Sequence, residues 1–600
     1  MTKKLPATAL LLVSLLVAPA ARTQKLSADG AMQTFNYLSD QFFSEVYFKF
    51  SPTSGTAAGL HQYDTKLEDY SAAGVQAEVA ALHEYEKKVE AIDPGALDAP
   101  VAADRDILLN NIRSELLSLE VIRGWEKDPD NYSSGITNSA FVIMERPYAP
   151  ANARLRALVE REKLMPQALE EARKNLKAPA RISTEIALEQ IDGDVSFFQN
   201  DVPSAFLSGP DAATDAATKA EFAKTNAAVI AALKSYGTWM KTDLLPRSNG
   251  DFRLGADTFA KKLAYDEMVD LPLDRLLQIA MDDLHKNQAE FARVAKQIDP
   301  AKTPQEELKE LQGMYPPPDQ LLSTFHQTFD SLISFIRANH IITIPSDVQP
   351  TLEETPPFER ATTFASMDPP GAFETHSTKA YFNVTLPEKD WTPQHIAGHM
   401  AQFNVGTIVS TSVHEAYPGH YVQFLWMPQF GSKIRKLLGA NTNIEGWAHY
   451  CEQMMLDQGY ASAPTNATPE QVRQARLIRL GQLMDALLRD ARFVNSIKLH
   501  TGEGEPRGEW TLEQAEDFFV NQGYQTREIA DVETKRGTGD PTYLYYTLGK
   551  LEIMKLREDM KTKQGAAFNL QSFHDDFMRQ GFAPIKVIRK AMLGNDSPVL

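Results

Sequence analysis

Apolar residues recur at helical spacing through most of the chain. Between residues 268 and 298, Leu273, Leu276, Leu277, Met281, Leu284 and Phe291 form a stripe with a 3.6-residue period. Similar patterns cover about 75–125, 151–190, 212–241, 318–339, 393–415, 469–500 and 547–565. Helix starts are marked as well. Thr303-Pro304-Gln305-Glu306 and Thr468-Pro469-Glu470-Gln471 are capping boxes with proline at the first helical position, and Thr511-Leu512-Glu513-Gln514 is one without it. Gly523 is placed to close the helix that Thr511 opens. Residues 341–391 break the pattern, because Pro345, Pro350, Pro356, Pro357, Pro369, Pro370 and Pro387 exclude a long helix. Within them Lys379–Leu386 has the β-branched and aromatic content of a short strand. At a sheet edge it would pair with an extended peptide. The predicted fold is mainly α, a large multi-helix body with a small irregular or β segment around 341–391. Prolines at 300, 304 and 316–318 mark a soft boundary between an N-terminal helical region, 22–300, and a C-terminal one, 301–600.

Composition narrows the class. Of 600 residues, 43% are hydrophobic and 23% charged, the balance of a folded globular protein. The formal net charge of −18 repels phosphates, so no nucleic-acid partner is expected. Cys451 is the single cysteine, which excludes an internal disulfide and any zinc site built from several cysteines. At the N-terminus, basic Lys3-Lys4, apolar Leu10–Val17 and the A-x-A pattern Ala18-Pro19-Ala20 form an export signal, residues 1–21. The apolar run is too short to span a bilayer. No cysteine follows it for lipid attachment, so a periplasmic or secreted protein without a stable membrane anchor is expected. The sequence leaves the oligomeric state open.

Candidate chemistry gathers between 395 and 452. His414-Glu415-Ala416-Tyr417-Pro418-Gly419-His420 places a second histidine six residues after a His-Glu pair. The zinc-peptidase motif H-E-x-x-H has its second histidine at four, on the same helix face. Six residues of regular helix would turn about 240° and rise about 9 Å, aiming the rings apart. Pro418 and Gly419 permit an unwound or bulged turn at 417–419 that returns His420 to His414, with Gly419 a candidate for positive φ. Further on, Glu445, His449 and Glu452 share a helix face. Two histidines and a glutamate with an open fourth position form the ligand set of a catalytic zinc. His414, His420 and Glu445 are therefore the candidate metal ligands, Zn2+ the candidate cofactor, and Glu452 or His449 a candidate support for a ligand imidazole. His395 and His399 form a rival i, i+4 pair but lack a following glutamate.

HEAYPGHYVQ, EGWAHYCEQM and YYTLGKLEIMKLRE together resemble the bacterial domain-of-unknown-function 885 family. The resemblance covers most of the chain after the export signal, strongest from 395 to 580 through Phe573-His574-Asp575, and weak before residue 100 apart from Gly59-Leu60-His61 and Asp64. It implies a fold similar to gluzincin metallopeptidases, with His414, Glu415, His420 and Glu445 matching the site position by position. The dipeptidyl-peptidase III family is similar in carrying an insertion between its zinc histidines. Arg536-Gly537 departs from the Arg-Tyr common in the family, and the Pro541–Tyr546 interval is one residue short.

The expected function is zinc-dependent peptide hydrolysis, with zinc activating a water and Glu415 as general base. Tyr546, His500, Tyr543 and Tyr545 are candidate donors to the oxyanion, Tyr546 preferred from the family resemblance. Two alternatives stand beside it: a non-catalytic exported binding or scaffold protein that retains the fold, and a hydrolase of non-peptide amides.

Overall fold

The computed structural model describes residues 28–600 other than 356–359, 361, 362, 390, 507 and 598. The expected export signal, residues 1–21, lies outside the described residues. Among the described residues the chain is mainly α with one small sheet. Among the described residues, no helix is long and apolar enough to cross a membrane.

The helices that build the candidate site are α1 (Leu273–Ile298), α2 (Leu321–Ala338), α3 (Val405–Thr411), α4 (His420–Trp426), α5 (Asn441–Asp457), α6 (Pro469–Thr501), α7 (Arg527–Gly539) and α8 (Tyr545–Gln564). All three capping boxes form: each threonine side chain accepts from the N3 amide, while the N3 side chain returns to the threonine amide. Gly523 follows the helix Thr511 opens, but the left-handed residue there is Tyr524, with φ +57°. Three of the long apolar patterns are subdivided, that over 151–190 into Ala151–Glu162, Met165–Asn175 and Arg181–Ser196. The 75–125 pattern splits into Ala72–Glu90 and Ala99–Leu116, and 393–415 is interrupted before Val405, where Asn404 caps a new helix.

Strands β1 (Thr351–Glu354), β2 (Ala365–Asp368) and β3 (Tyr381–Val384) form a sheet of order β1-β3-β2, parallel between β1 and β3 and antiparallel between β2 and β3. The strand expected within 379–386 is therefore the central one. Both its edges are paired, so it cannot receive a peptide strand, and that expectation is corrected. Its Phe382 is fully buried against Phe325 and Phe329 of α2, and Phe329 packs in turn on Tyr417. The sheet thus buttresses the His414–His420 turn.

Close backbone crossings set the spacing of the site helices. Gly446 of α5 lies against Gly549 of α8, where an added Cβ on Gly549 would come 1.9 Å from Thr442 O. Gly406 of α3 and Gly481 of α6 approach in the same way. Behind α8, the buried Lys550 ammonium donates to Asp283 of α1 at 2.7 Å. The main apolar cluster draws on residues from 35–116 and from 321–588 alike.

Candidate metal centre

His414 stands in a π-helical turn, Ser412–Ala416, that continues α3. Tyr417 then leaves helical geometry, at φ −126° and ψ 109°, the Tyr417–Pro418 bond is cis, and α4 begins at His420. The irregularity begins earlier than expected, two residues before His414, since π geometry inserts one residue per turn and rotates the imidazole. Gly419 does not take positive φ; its φ is −70°. It is glycine for another reason: an added Cβ would lie 1.8 Å from His414 O. The turn is so tight that a side chain at 419 would occupy the backbone of the first histidine. Trp447 Nε1 donates to Pro418 O at 2.9 Å and pins the turn to α5.

The result brings His414 and His420 together, ring centroids 4.9 Å apart and perpendicular. Glu445 of α5 joins them, and one ligand atom from each of the three lies within 4.8 Å of the others. Glu445 Oε2 is 3.3 Å from His414 Nε2 and 3.4 Å from His420 Nε2. It is nevertheless a buried oxygen with no well-formed hydrogen bond, as expected of atoms directed at a shared point rather than at each other. The far side of each ring is held. His414 Nδ1 donates to Glu452 at 2.7 Å and His420 Nδ1 to Gln423 Oε1 at 3.3 Å, which leaves each Nε2 facing Glu445. Glu452 also accepts from His449 Nδ1 at 3.1 Å and pairs with Arg489 of α6 at 3.1 Å.

A cation fits this set. Burial pushes the His414 imidazole down, but the carboxylates of Glu445 and Glu452 beside it prevail and raise it to about 9. Burial likewise opposes the Glu445 charge, and the two imidazoles hold it well below the carboxylate range. Both shifts favour positive charge between these carboxylates beyond that of Arg489, of the kind a proton on an imidazole or a metal ion would supply. Two imidazole nitrogens, a carboxylate oxygen lacking a partner and a carboxylate behind one ring match the donor chemistry of catalytic zinc. Helix α5 owes its position to Glu267, whose carboxylate accepts from the Asn441 and Thr442 amides and from Thr442 Oγ1, capping it from another part of the chain.

Glu415 is half-buried beside His414, and among the described residues no side-chain partner engages its carboxylate. Tyr546 of α8 stacks 6.4 Å from the His414 ring and accepts from Arg536 Nη2 at 3.1 Å, leaving its own O–H proton free to donate. The other candidate donors are committed elsewhere. Tyr545 donates to Asp540 and Tyr543 to Glu533 O. His500 is not brought to the triad: it is fully buried among Phe252 and Phe259, with Nε2 on Gly537 O at 2.8 Å. The rival His395 stacks on Trp391, and His399 holds Thr385 O at 2.8 Å. The sequence reading missed Arg489 and Arg492 and took Arg536 only as part of a departure from the family pattern; their three guanidinium carbons lie 5.0–5.8 Å from the Tyr546 ring centre. Arginines on two helices carry no spacing signal that would have joined them to a tyrosine on a third.

Most of the chain is similar in fold to two solved structures. One is described as a putative lipoprotein of unknown function from Shewanella oneidensis (24% identity, TM-score 0.76, covering 95% of this chain and 100% of that one). The other is described as a putative lipoprotein from Colwellia psychrerythraea (18% identity, TM-score 0.77, covering 95% and 99%). At these identities the likeness shows the fold. No curated protein matches the chain. Residues 52–592 match the family described as bacterial protein of unknown function (DUF885), and with nearly the whole folded body inside that match, the chain belongs to this family.

Proposed function

We propose that the protein is an exported zinc-dependent hydrolase acting on peptide bonds, with His414, His420 and Glu445 holding the metal. The observation that carries this reading is the buried Glu445 oxygen facing two imidazole nitrogens whose opposite ring atoms are already hydrogen-bonded. Oriented imidazoles and an orphaned carboxylate oxygen are costly in a folded interior unless something occupies the point they share. When bound, zinc supplies Lewis acidity and lowers the pKa of a coordinated water towards about 7.

The remaining chemistry belongs to the chain. Glu415 lies next to a ligand with its carboxylate uncommitted, so it can take a proton from water and return it to a leaving amine. Glu452, steadied by His449 and Arg489, keeps the His414 proton on Nδ1 and its lone pair on Nε2. Tyr546 keeps its proton, since burial and then the Glu445 charge raise its pKa, and it can donate to a developing oxyanion. Export rests on the N-terminal signal pattern.

The test is metal analysis of the purified protein, followed by incubation with a mixed peptide library with and without chelator. About one zinc per chain and chelator-sensitive cleavage are expected. Absence of both would reject the reading, and zinc without cleavage of any peptide would favour a binding protein.

A further inference from the structure

Three arginines surround Tyr546, two from α6 and one from α7. Arg492 is neutralised by a two-pronged pair with Glu533 at 2.6 and 2.7 Å. Arg489 is neutralised by Glu452. Arg536 differs. It is exposed, it donates one hydrogen bond to the Tyr546 hydroxyl, and among the described residues no carboxylate forms an ion pair with it. In a chain of formal charge −18, this leaves a guanidinium without a close ion-pair partner among the described residues beside the candidate metal centre. With its other N–H donors still open, such an arginine is suited to bind a carboxylate through two parallel hydrogen bonds.

The distance identifies the part of a substrate that would reach it. Arg536 Cζ is 5.8 Å from the Tyr546 ring centre, which is 6.4 Å from the His414 ring centre. The arginine is thus at most about 12 Å from the ligand ring, the length of about three extended residues. We propose that Arg536, braced on the Tyr546 hydroxyl, anchors the C-terminal carboxylate of a peptide, so that the protein acts as an exopeptidase releasing the last one to three residues. This rests on the hydrolase reading above and adds the substrate end to it. Arg492 is held by both oxygens of Glu533 and Arg489 is ion-paired with Glu452, which leaves the exposed Arg536 as the arginine of the three without a carboxylate among the described residues.

The test compares one short dye-labelled peptide as its free acid and as its C-terminal amide. Binding is measured on zinc-loaded full-length Glu415→Gln protein, and cleavage products of the wild type are identified by mass. The acid is expected to bind about 10–100-fold more tightly than the amide, the range of a charge-assisted pair. Arg536→Ala should abolish that ratio, Arg536→Lys should keep part of it, and wild-type products should be C-terminal fragments of one to three residues. Equal binding of acid and amide, a preference that survives Arg536→Ala, or internal cleavage regardless of the C-terminus would overturn the anchor. The two readings fail separately. Zinc-dependent cleavage without acid preference removes the anchor and keeps the hydrolase, whereas Arg536-dependent acid preference without zinc or cleavage does the reverse.

Discussion

Glu415 and Glu445 are both glutamates at the centre, with opposite expected behaviour. Glu445 faces both imidazoles with a buried oxygen, whereas Glu415 is half-buried and uncommitted. On the proposed function, Glu415→Gln should therefore retain zinc and lose about 10²–10⁴-fold in turnover, because the proposed ligands remain while the proposed base is gone. Zinc content and kcat measured on the same preparation check this, and wild-type turnover would remove Glu415 from the mechanism. Glu445→Ala should strip the metal, whereas His395→Ala and His399→Ala should not, since those rings are engaged with Trp391 and Thr385 O. Metal content after dialysis decides between the two sets.

Elements meet at this centre because backbones approach where side chains would not fit. Gly419→Ala puts a Cβ into the carbonyl of His414, and the turn must open to relieve it. Overpacking of this kind costs about 1–3 kcal/mol. The variant should lose stability in denaturant titration and bind zinc more weakly than wild type. Unchanged zinc affinity would mean that the turn does not control the ligand pair. Gly549→Ala acts one step away. It should push α8 off α5 and draw Tyr546 from His414, lowering turnover more than metal content.

At the scale of the whole molecule, the sheet, α2, α5, α6 and α8 all bear on one small group of atoms, so occupancy of that group should be felt globally. A ligand that binds only the folded state stabilises it by about 4 kcal/mol at 1,000 times its dissociation constant. Chelation should lower Tm, and stoichiometric zinc should restore it. A Tm indifferent to both would show that the triad holds no metal with useful affinity. The main apolar cluster, built from residues on both sides of position 300, also predicts that a chain beginning at 301 will expose apolar surface and aggregate, as solubility on expression would show.

Much that is local could be read from the chain alone. Apolar period, capping threonines and proline density place helices and the β segment, because these are decided within a few residues of chain. The His-Glu…Pro-Gly-His run and Glu445 were legible for the same reason: each lies within one turn or on one helix face. Packing between distant elements settles which Glu445 atom faces the imidazoles, that Glu452 rather than His449 holds His414, and that His500 is buried among phenylalanines while Tyr546 stacks on the centre. It also placed Lys379–Leu386 at the middle of its sheet, where strand order depends on partners 30 residues away. Gly419 was recognised as necessary for the wrong reason. Its conformation is ordinary in sign, and what forbids a side chain is an oxygen five residues back, which reaches it only once the turn has closed. Periodicity reports which face of an element is apolar; it carries no information about which other element will cover that face.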